Sequence, residues 1–247
     1  MAATLTWVGH ATVEVEIDGV RLLTDPILRP RVGPLRREAP PPRPMTDAPD
    51  AVLISHLHRD HADLPSLRRL GTRARLIAPK ETRRFFTRRG FTAVEELAPG
   101  EAAAVGGVTV RAVPALHDSG RGPLRPAAAV GFLIEGADRR IYFAGDTDRF
   151  DEMADLASPD VALLPIWGWG PSLGPGHMDP ARAAEAAALI RPRVLVPIHW
   201  GTLYPRFLRH VHPDPLFTPP RQLERALQAA GSDAELRLLL PGMSTTV

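Results

Sequence analysis

Residues 56–61 read HLHRDH, directly behind the apolar run Val52-Leu53-Ile54. Such a motif at the end of an apolar strand gathers three imidazoles and a carboxylate, groups that need polar partners wherever they are buried. In extended backbone, residues two apart face the same side. His56 and His58 therefore converge, while Leu57 turns toward the core. Asp60 and His61 lie at the turn into the next helix and can swing toward a neighbouring point. The plain alternative is a polar loop that happens to be rich in His. A metal site would have two adjacent positions, with His56 and His58 at one and Asp60 and His61 at the other. The chain has no cysteine. Disulfides, thiolate metal sites and cysteine nucleophiles are thereby excluded, and any metal must be held by imidazole and carboxylate.

Around the motif the hydrophobic pattern predicts an α/β chain. Thr4–Val8, Thr12–Ile17 and Val20–Thr24 read as strands rich in β-branched residues, with Asp18-Gly19 as a tight hairpin turn. Pro26–Pro49 contains eight prolines in 24 residues, a density that predicts an irregular loop free of helix and central strand. From Ala51, strands and helices alternate. Strands are expected at Val52–Ser55 and Arg75–Ala78, and helices at Ala62–Leu70 and Lys80–Arg89. Ala103–Val105, Val108–Val113, Ala128–Glu135 and Arg140–Ala144 continue as strands. A helix near Arg149–Ala157 and a strand at Val161–Leu164 follow. Pro180–Ile190 is a helix with Pro in its first turn and Asp179 as cap. Strand Val194–Pro197, helix Pro220–Ala230 and strand Glu235–Leu240 complete the chain. Two β-rich halves, each followed by helices, point to two sheets packed face to face with helices outside, in one domain spanning 1–247.

Three more candidate ligands lie just after predicted strands: His117 in PALHDSGR, Asp146 in YFAGDTD and His199 in VPIHWGT. Strand ends are where α/β architectures place their sites. The pattern His-x-His-x-Asp-His, followed by separate His, Asp and His, resembles the metallo-β-lactamase superfamily. The likeness runs through the whole chain in the family's order. TWVGHATVEVEIDGVRLLTDP (6–26), GHMDP (176–180) and IHWGT (198–202) are similar to the branch that contains N-acyl-phosphatidylethanolamine phospholipase D and ascorbate-6-phosphate lactonase. The resemblance implies an αββα four-layer sandwich, with two mixed β-sheets flanked by helices and a binuclear metal site at one edge. His56, His58 and His117 would hold one metal, Asp60, His61 and His199 the other, and Asp146 would bridge them. The implied cofactors are two divalent transition-metal ions, zinc first, with manganese or iron as alternatives.

The implied activity is that of a metal-dependent hydrolase using a metal-bound hydroxide on a phosphodiester or phosphoester. Opening of a small sugar lactone, phosphorylated or not, is the alternative. A nuclease is the rival of another class, though this chain has no spare length for a nucleic-acid domain. Asp60, as orienter of the nucleophile or carrier of its proton, and His177 in GHMDP, as a substrate contact, are the candidate catalytic residues. Asp25 in TDP could orient a ligand imidazole, and His10 in GHAT could serve substrate or ligands. Arg121 and Arg206 could meet a phosphate. Trp167, Trp169 and Trp200 could wall a pocket. The expected partner is an anionic small molecule, with the arginines of the proline-rich loop, Arg29, Arg31, Arg36, Arg37 and Arg43, adding positive charge. Nucleic acid is not expected: the formal net charge is only +2, and the pI of about 9.6 reflects arginine in place of lysine. Arg83, Arg84, Arg88 and Arg89 read as the solvated face of a helix. The N-terminus lacks the pattern of a signal peptide and no apolar run is long enough to span a bilayer, so a cytoplasmic protein is expected.

Overall fold

In the computed structural model, which describes residues 2–42, 47–118 and 128–247, the first half of the chain builds a mixed sheet. Its early strands are β1 (Thr4–Gly9), β2 (Thr12–Ile17) and β3 (Val20–Thr24). A small hairpin follows, β4 (Arg31–Val32) and β5 (Leu35–Arg37). Then come β6 (Ala51–Leu53), helix α1 (Leu64–Leu70), β7 (Leu76–Pro79), the short helix α2 (Arg83–Thr87) and β8 (Val94–Leu97). The second half supplies β9 (Ala102–Val105), β10 (Val108–Pro114), β11 (Val130–Glu135), β12 (Arg140–Phe143) and β13 (Val161–Pro165). It continues through α3 (Pro180–Ile190), β14 (Val194–Ile198), β15 (Leu203–Pro205), α4 (Pro219–Ala229), β16 (Glu235–Leu236) and β17 (Ser244–Thr246).

Two seven-stranded sheets result, ordered β17-β1-β2-β3-β6-β7-β8 and β16-β14-β13-β12-β11-β10-β9. Each is antiparallel on one side and parallel on the other. The changes fall between β3 and β6 and between β12 and β13. Leu5, Trp7, Val13, Val15, Leu22 and Leu53 of the first sheet pack against Phe132, Ile134, Phe143, Leu163 and Val196 of the second. β1 alternates buried and half-buried residues because its outer face meets solvent. β13 and β14 are buried at every position, since their outer faces lie under α3 and α4. Leu67 of α1 and Phe85 and Phe86 of α2 cover the outer face of β6 and β7. The layers are helix, sheet, sheet, helix.

The local devices follow the sequence. Asp18 and Gly19 both take positive φ, as a tight hairpin turn demands. Asp179 caps α3 by accepting from the Arg182 N–H, with Pro180 at the first turn. Asp63 caps α1 in the same way through the Ser66 N–H.

Several sequence expectations need correction. The loop expected over Pro26–Pro49 (residues 43–46 lie outside the described residues) is not wholly irregular. β4 and β5 form its hairpin, and β5 is the centre of a three-stranded sheet with β15. The prolines fall in the flanks and in the Gly33-Pro34 turn, so no ladder N–H is lost. The helix expected over Lys80–Arg89 shrinks to Arg83–Thr87, and that over Arg149–Ala157 becomes a 3-10 turn at Asp151–Leu156. The final strand shortens to Glu235–Leu236, and β8, β15 and β17 were not expected from periodicity.

Candidate functional site

Every chemistry-bearing segment leaves the C-terminal end of a strand running in one direction. In the first sheet, β1 leads to His10, β3 to Asp25 and β6 to His56–His61. In the second, β10 leads to His117, β12 to Asp146, β13 to the loop with Trp167 and His177, and β14 to His199. The sheets stack face to face, so these ends meet at one edge of the sandwich, as α/β sites do.

The meeting is close. His56, His58 and His117 offer nitrogens within 4.8 Å of one another. So do the nitrogen and carboxylate atoms of His10, Asp60, His61 and His199, and those of His117, Asp146 and His177. His58 Nδ1 lies 3.1 Å from His117 Nε2, and His61 Nε2 lies 3.1 Å from His199 Nε2. Asp146 stands between the groups. Its carboxylate oxygens are 3.1 Å from His61 Nε2, 3.1 Å from His199 Nε2 and 3.5 Å from His177 Nε2.

Tautomers follow from what each ring touches on its other side. His117 Nδ1 faces the Gly176 carbonyl at 2.8 Å and His199 Nδ1 the Trp167 carbonyl at 2.8 Å. A carbonyl only accepts, so those nitrogens carry the proton and donate. His61 Nδ1 donates to Asp25 Oδ2 at 2.7 Å. Ser55 Oγ donates to the same Asp25 oxygen at 2.5 Å, and therefore accepts from His56 Nδ1 at 3.0 Å. In their neutral forms all four rings turn bare nitrogens inward. Bare nitrogens 3.1 Å apart repel one another unless a cation or a shared proton lies between them. His56 Nε2 is buried with no hydrogen-bond partner. Asp146 Oδ1 likewise makes no hydrogen bond, because His199 Nε2, 3.1 Å away, has no proton to offer in its neutral form. An inward ring of unpartnered lone pairs and carboxylate oxygen is the donor set of a divalent metal site.

Electrostatics favour the neutral form at His56, His58, His117 and His199 and the charged form at His61 and His177, which face the Asp146 carboxylate. Burial holds His56 well below the ordinary histidine value, with repulsion from His61 adding to it. Burial also lowers His58 and His117, and lowers His199 to about 3. His61 is buried too, but Asp146 and Asp25 outweigh the burial and raise it. Burial acts against the charge on Asp60 and Asp146. The His10 hydrogen bond and nearby imidazoles still hold Asp60 well below the carboxylate range, and His199 and His61 do the same for Asp146. For His177, Asp146 and two carbonyls overcome partial burial and raise it.

Two glycines make the approach possible. Gly145 has φ of +64, and a Cβ there would come 2.6 Å from Ser55 Cβ, so only glycine lets the end of β12 meet the end of β6. Gly176, at φ +76, brings its carbonyl onto His117, whose Cα and Nδ1 would lie 3.2 Å from an added Cβ.

His10, expected to serve substrate or ligands, and Trp169, expected to wall a pocket, both sit on Asp60, while Ser55 was not expected in the cluster. His10 Nε2 and the Trp169 indole N–H both donate to Asp60 Oδ2, each at 3.1 Å. His10 has a positive φ of 55, a backbone conformation uncommon for a non-glycine residue. Trp169 is 46% exposed, at the mouth of a cleft of about 410 Å³. His177 lines this cleft with His58, Asp60, Asp146 and His199. Trp167 faces away, donating to the Gly170 carbonyl, and Trp200 stacks on Trp7 in the core.

The described loop arginines do not supply charge here. Arg29 forms a two-pronged pair with Asp63. Arg37 is buried against the Val8 and Pro40 carbonyls, and Arg31 donates to the Gly33 carbonyl. Arg36 is exposed and absent from the cleft lining. Arg206 is exposed after β15 and also absent from it. Arg43 and Arg121 lie outside the described residues. The basic cluster is an outer surface, with Arg89 stacked on the Phe85 ring at 3.9 Å. Among the described residues, no helix is long and apolar enough to cross a membrane.

Residues 20–200 match the family model described as a β-lactamase superfamily domain. The chain belongs to the metallo-β-lactamase superfamily. It is 34% identical to a UPF0173 metal-dependent hydrolase of Methanopyrus kandleri, over 97% of this chain and 98% of that protein. It is 33% identical to N-acyl-phosphatidylethanolamine-hydrolyzing phospholipase D 1 of Caenorhabditis elegans, over 81% of this chain and 64% of that one. Among solved structures, a metallo hydrolase from Ignicoccus hospitalis superposes with a TM-score of 0.76 at 28% identity, covering 100% of this chain and 99% of that one. The chain is a metal-dependent hydrolase of this superfamily.

Proposed function

We propose that the chain is a single hydrolase domain that binds two divalent transition-metal ions, zinc first, and cleaves a phosphodiester small molecule. The observation that carries this reading is the inward ring of bare imidazole nitrogens around the shared Asp146 carboxylate. His56, His58 and His117 would hold one ion, and Asp60, His61 and His199 the other, with Asp146 common to both. Such ions would make water more acidic and polarise the oxygen of the bond under attack. Asp25 and Ser55 keep the His61 and His56 rings turned with their bare nitrogens inward. The Gly176 and Trp167 carbonyls do the same for His117 and His199. Asp60, held by His10 and Trp169, is fixed as an ionised carboxylate, which suits holding an ion or orienting the nucleophile better than accepting a proton. His177 stands in the cleft beside Asp146, where it would touch substrate.

A diester is favoured over a phosphomonoester by charge. Apart from histidines, Arg59 is the one cationic side chain among the described residues of the cleft lining. A second negative charge would find little beyond the ions to meet it. The relative in Caenorhabditis elegans, named for phospholipase D activity, supports the same bond type. The test is metal-reconstituted protein offered bis(p-nitrophenyl) phosphate, p-nitrophenyl phosphate and a panel of small lactones. The expected order is diester first. Turnover confined to lactones would replace this reading with the lactonase one.

A further inference from the structure

The cleft above the site is polar at its floor and at the exposed Arg59 and Ser172, and apolar between them. One wall is the hairpin of the proline-rich segment, with Val32, Pro34 and Leu35, and the facing wall is Trp169 and Leu173. Val32 and Leu35 are held in place from behind by Ile27 and Leu203 in their own small apolar cluster. The hairpin is further pinned by pairing with β15. Trp169 is fixed by its N–H on Asp60. The walls are therefore built before anything binds, and the exposed Arg59 is the single cationic side chain, histidines apart, that the described lining offers.

We propose that these walls seat an uncharged alkyl or aryl arm carried by the scissile ester, so that the substrate is amphiphilic: one anionic group at the floor and one apolar arm between the hairpin and the Trp169 loop. This rests on the hydrolase reading above and names its substrate class. The cleft of about 410 Å³ lies within the roughly 300–1,000 Å³ of small-molecule sites, room for an ester and a short arm together. A charged arm would lose its hydration against Val32, Leu35 and Leu173, because the carboxylates of the lining, Asp60 and Asp146, are engaged at the floor and Arg59 is exposed.

The test uses monoanionic n-alkyl methylphosphonates, with arms from methyl to hexyl, as competitive inhibitors of bis(p-nitrophenyl) phosphate turnover by the metal-loaded protein. Each methylene buried should lower the inhibition constant about fourfold until the cleft is full. Leu173→Asp, on a half-buried loop position, should flatten that series. Pro34→Asp, at the exposed hairpin tip, is the second variant should the first not fold. In parallel, butanol, hexanol and octanol are titrated into metal-free protein, with tryptophan fluorescence compared between wild type and Trp169→Phe. Binding that saturates and tightens with length, with a signal lost in Trp169→Phe, supports the apolar seat independently of any chemistry. Inhibition constants indifferent to chain length, or a 2-aminoethyl arm bound as tightly as butyl, would overturn it. No diester turnover together with length-dependent alcohol binding would instead count against the diester reading and leave the seat standing.

Discussion

Asp25→Asn changes one atom, and its consequence can be worked through bond by bond. Asp25 is fully buried. Its Oδ1 accepts the Ser55 N–H at 2.8 Å, and its Oδ2 accepts both Ser55 Oγ–H at 2.5 Å and His61 Nδ1–H at 2.7 Å. An asparagine must place its NH2 on one of those sides. Toward Ser55 N it sets donor against donor. Toward His61 it also sets donor against donor, unless the ring moves its proton to Nε2. That shift removes the lone pair His61 would offer an ion, and through Ser55 it loosens the orientation of His56 in the other cluster. Loss of such an orienting partner costs about 10- to 100-fold in metal affinity, or roughly 1.4–2.8 kcal/mol. The ion held by His61 should weaken more than the one held by His56. The assay is competition against a chelator with metal content read at each step, and circular dichroism to verify folding. A folded Asp25→Asn protein that keeps both ions at wild-type affinity would refute the orienting role.

Asp146→Ala should lose both ions and more than a thousandfold in activity, roughly the loss of about 4 kcal/mol expected when a shared ligand goes, while circular dichroism stays unchanged; one ion retained at full affinity would show that the bridge lies elsewhere. Replacing the hairpin tip Val32–Leu35 by Asn-Gly should raise KM about tenfold with metal content intact and a smaller loss of kcat, whereas unchanged KM for every active substrate would make the hairpin a mere connector. Burial holds His56, His58, His117 and His199 below the ordinary value of 6.5, so the unfolded chain takes up protons there that the folded chain refuses. Their contribution to stability is full above about pH 6.5 and falls as pH drops through it. The raised His61 and His177 work in the opposite sense, with a contribution present below 6.5 and lost as pH rises through their own values. Four against two, and with protons competing for the same nitrogens as the metal, bound metal and Tm should fall together from pH 6.5 to 5. Full retention at pH 5 would contradict the buried-imidazole account.

Much of the fold was legible because its signals are local. β2, β3 and α3 begin and end where alternation, the Asp18-Gly19 turn and the Asp179 cap place them. The inner sheet contacts follow from the same alternation. What escaped depends on tertiary partners. β5 exists because β15 pairs with it from 168 residues later (203 against 35, counting first residues), and no window of proline-rich sequence reveals that. β17 is exposed Ser-Thr-Thr on a sheet edge, without an apolar stripe to announce it. The ligand candidates were legible because each stands just after a strand in a chain with no cysteine to compete. Of their orienting partners, Asp25 and His10 were legible in TDP and GHAT, and the rest were not. The Gly176 and Trp167 carbonyls are backbone atoms, invisible to residue type, and Trp169 reaches Asp60 across 109 positions. The loop arginines show the opposite failure. Composition placed positive charge near the site, and folding turned Arg29 to Asp63 and Arg31 and Arg37 to backbone carbonyls.

The central claim, that the two clusters around Asp146 each hold an ion, is tested most directly by elemental analysis of protein purified without chelator and after reconstitution. The account predicts close to two transition-metal ions per chain, zinc foremost. Folded, reconstituted protein that carries none would contradict it.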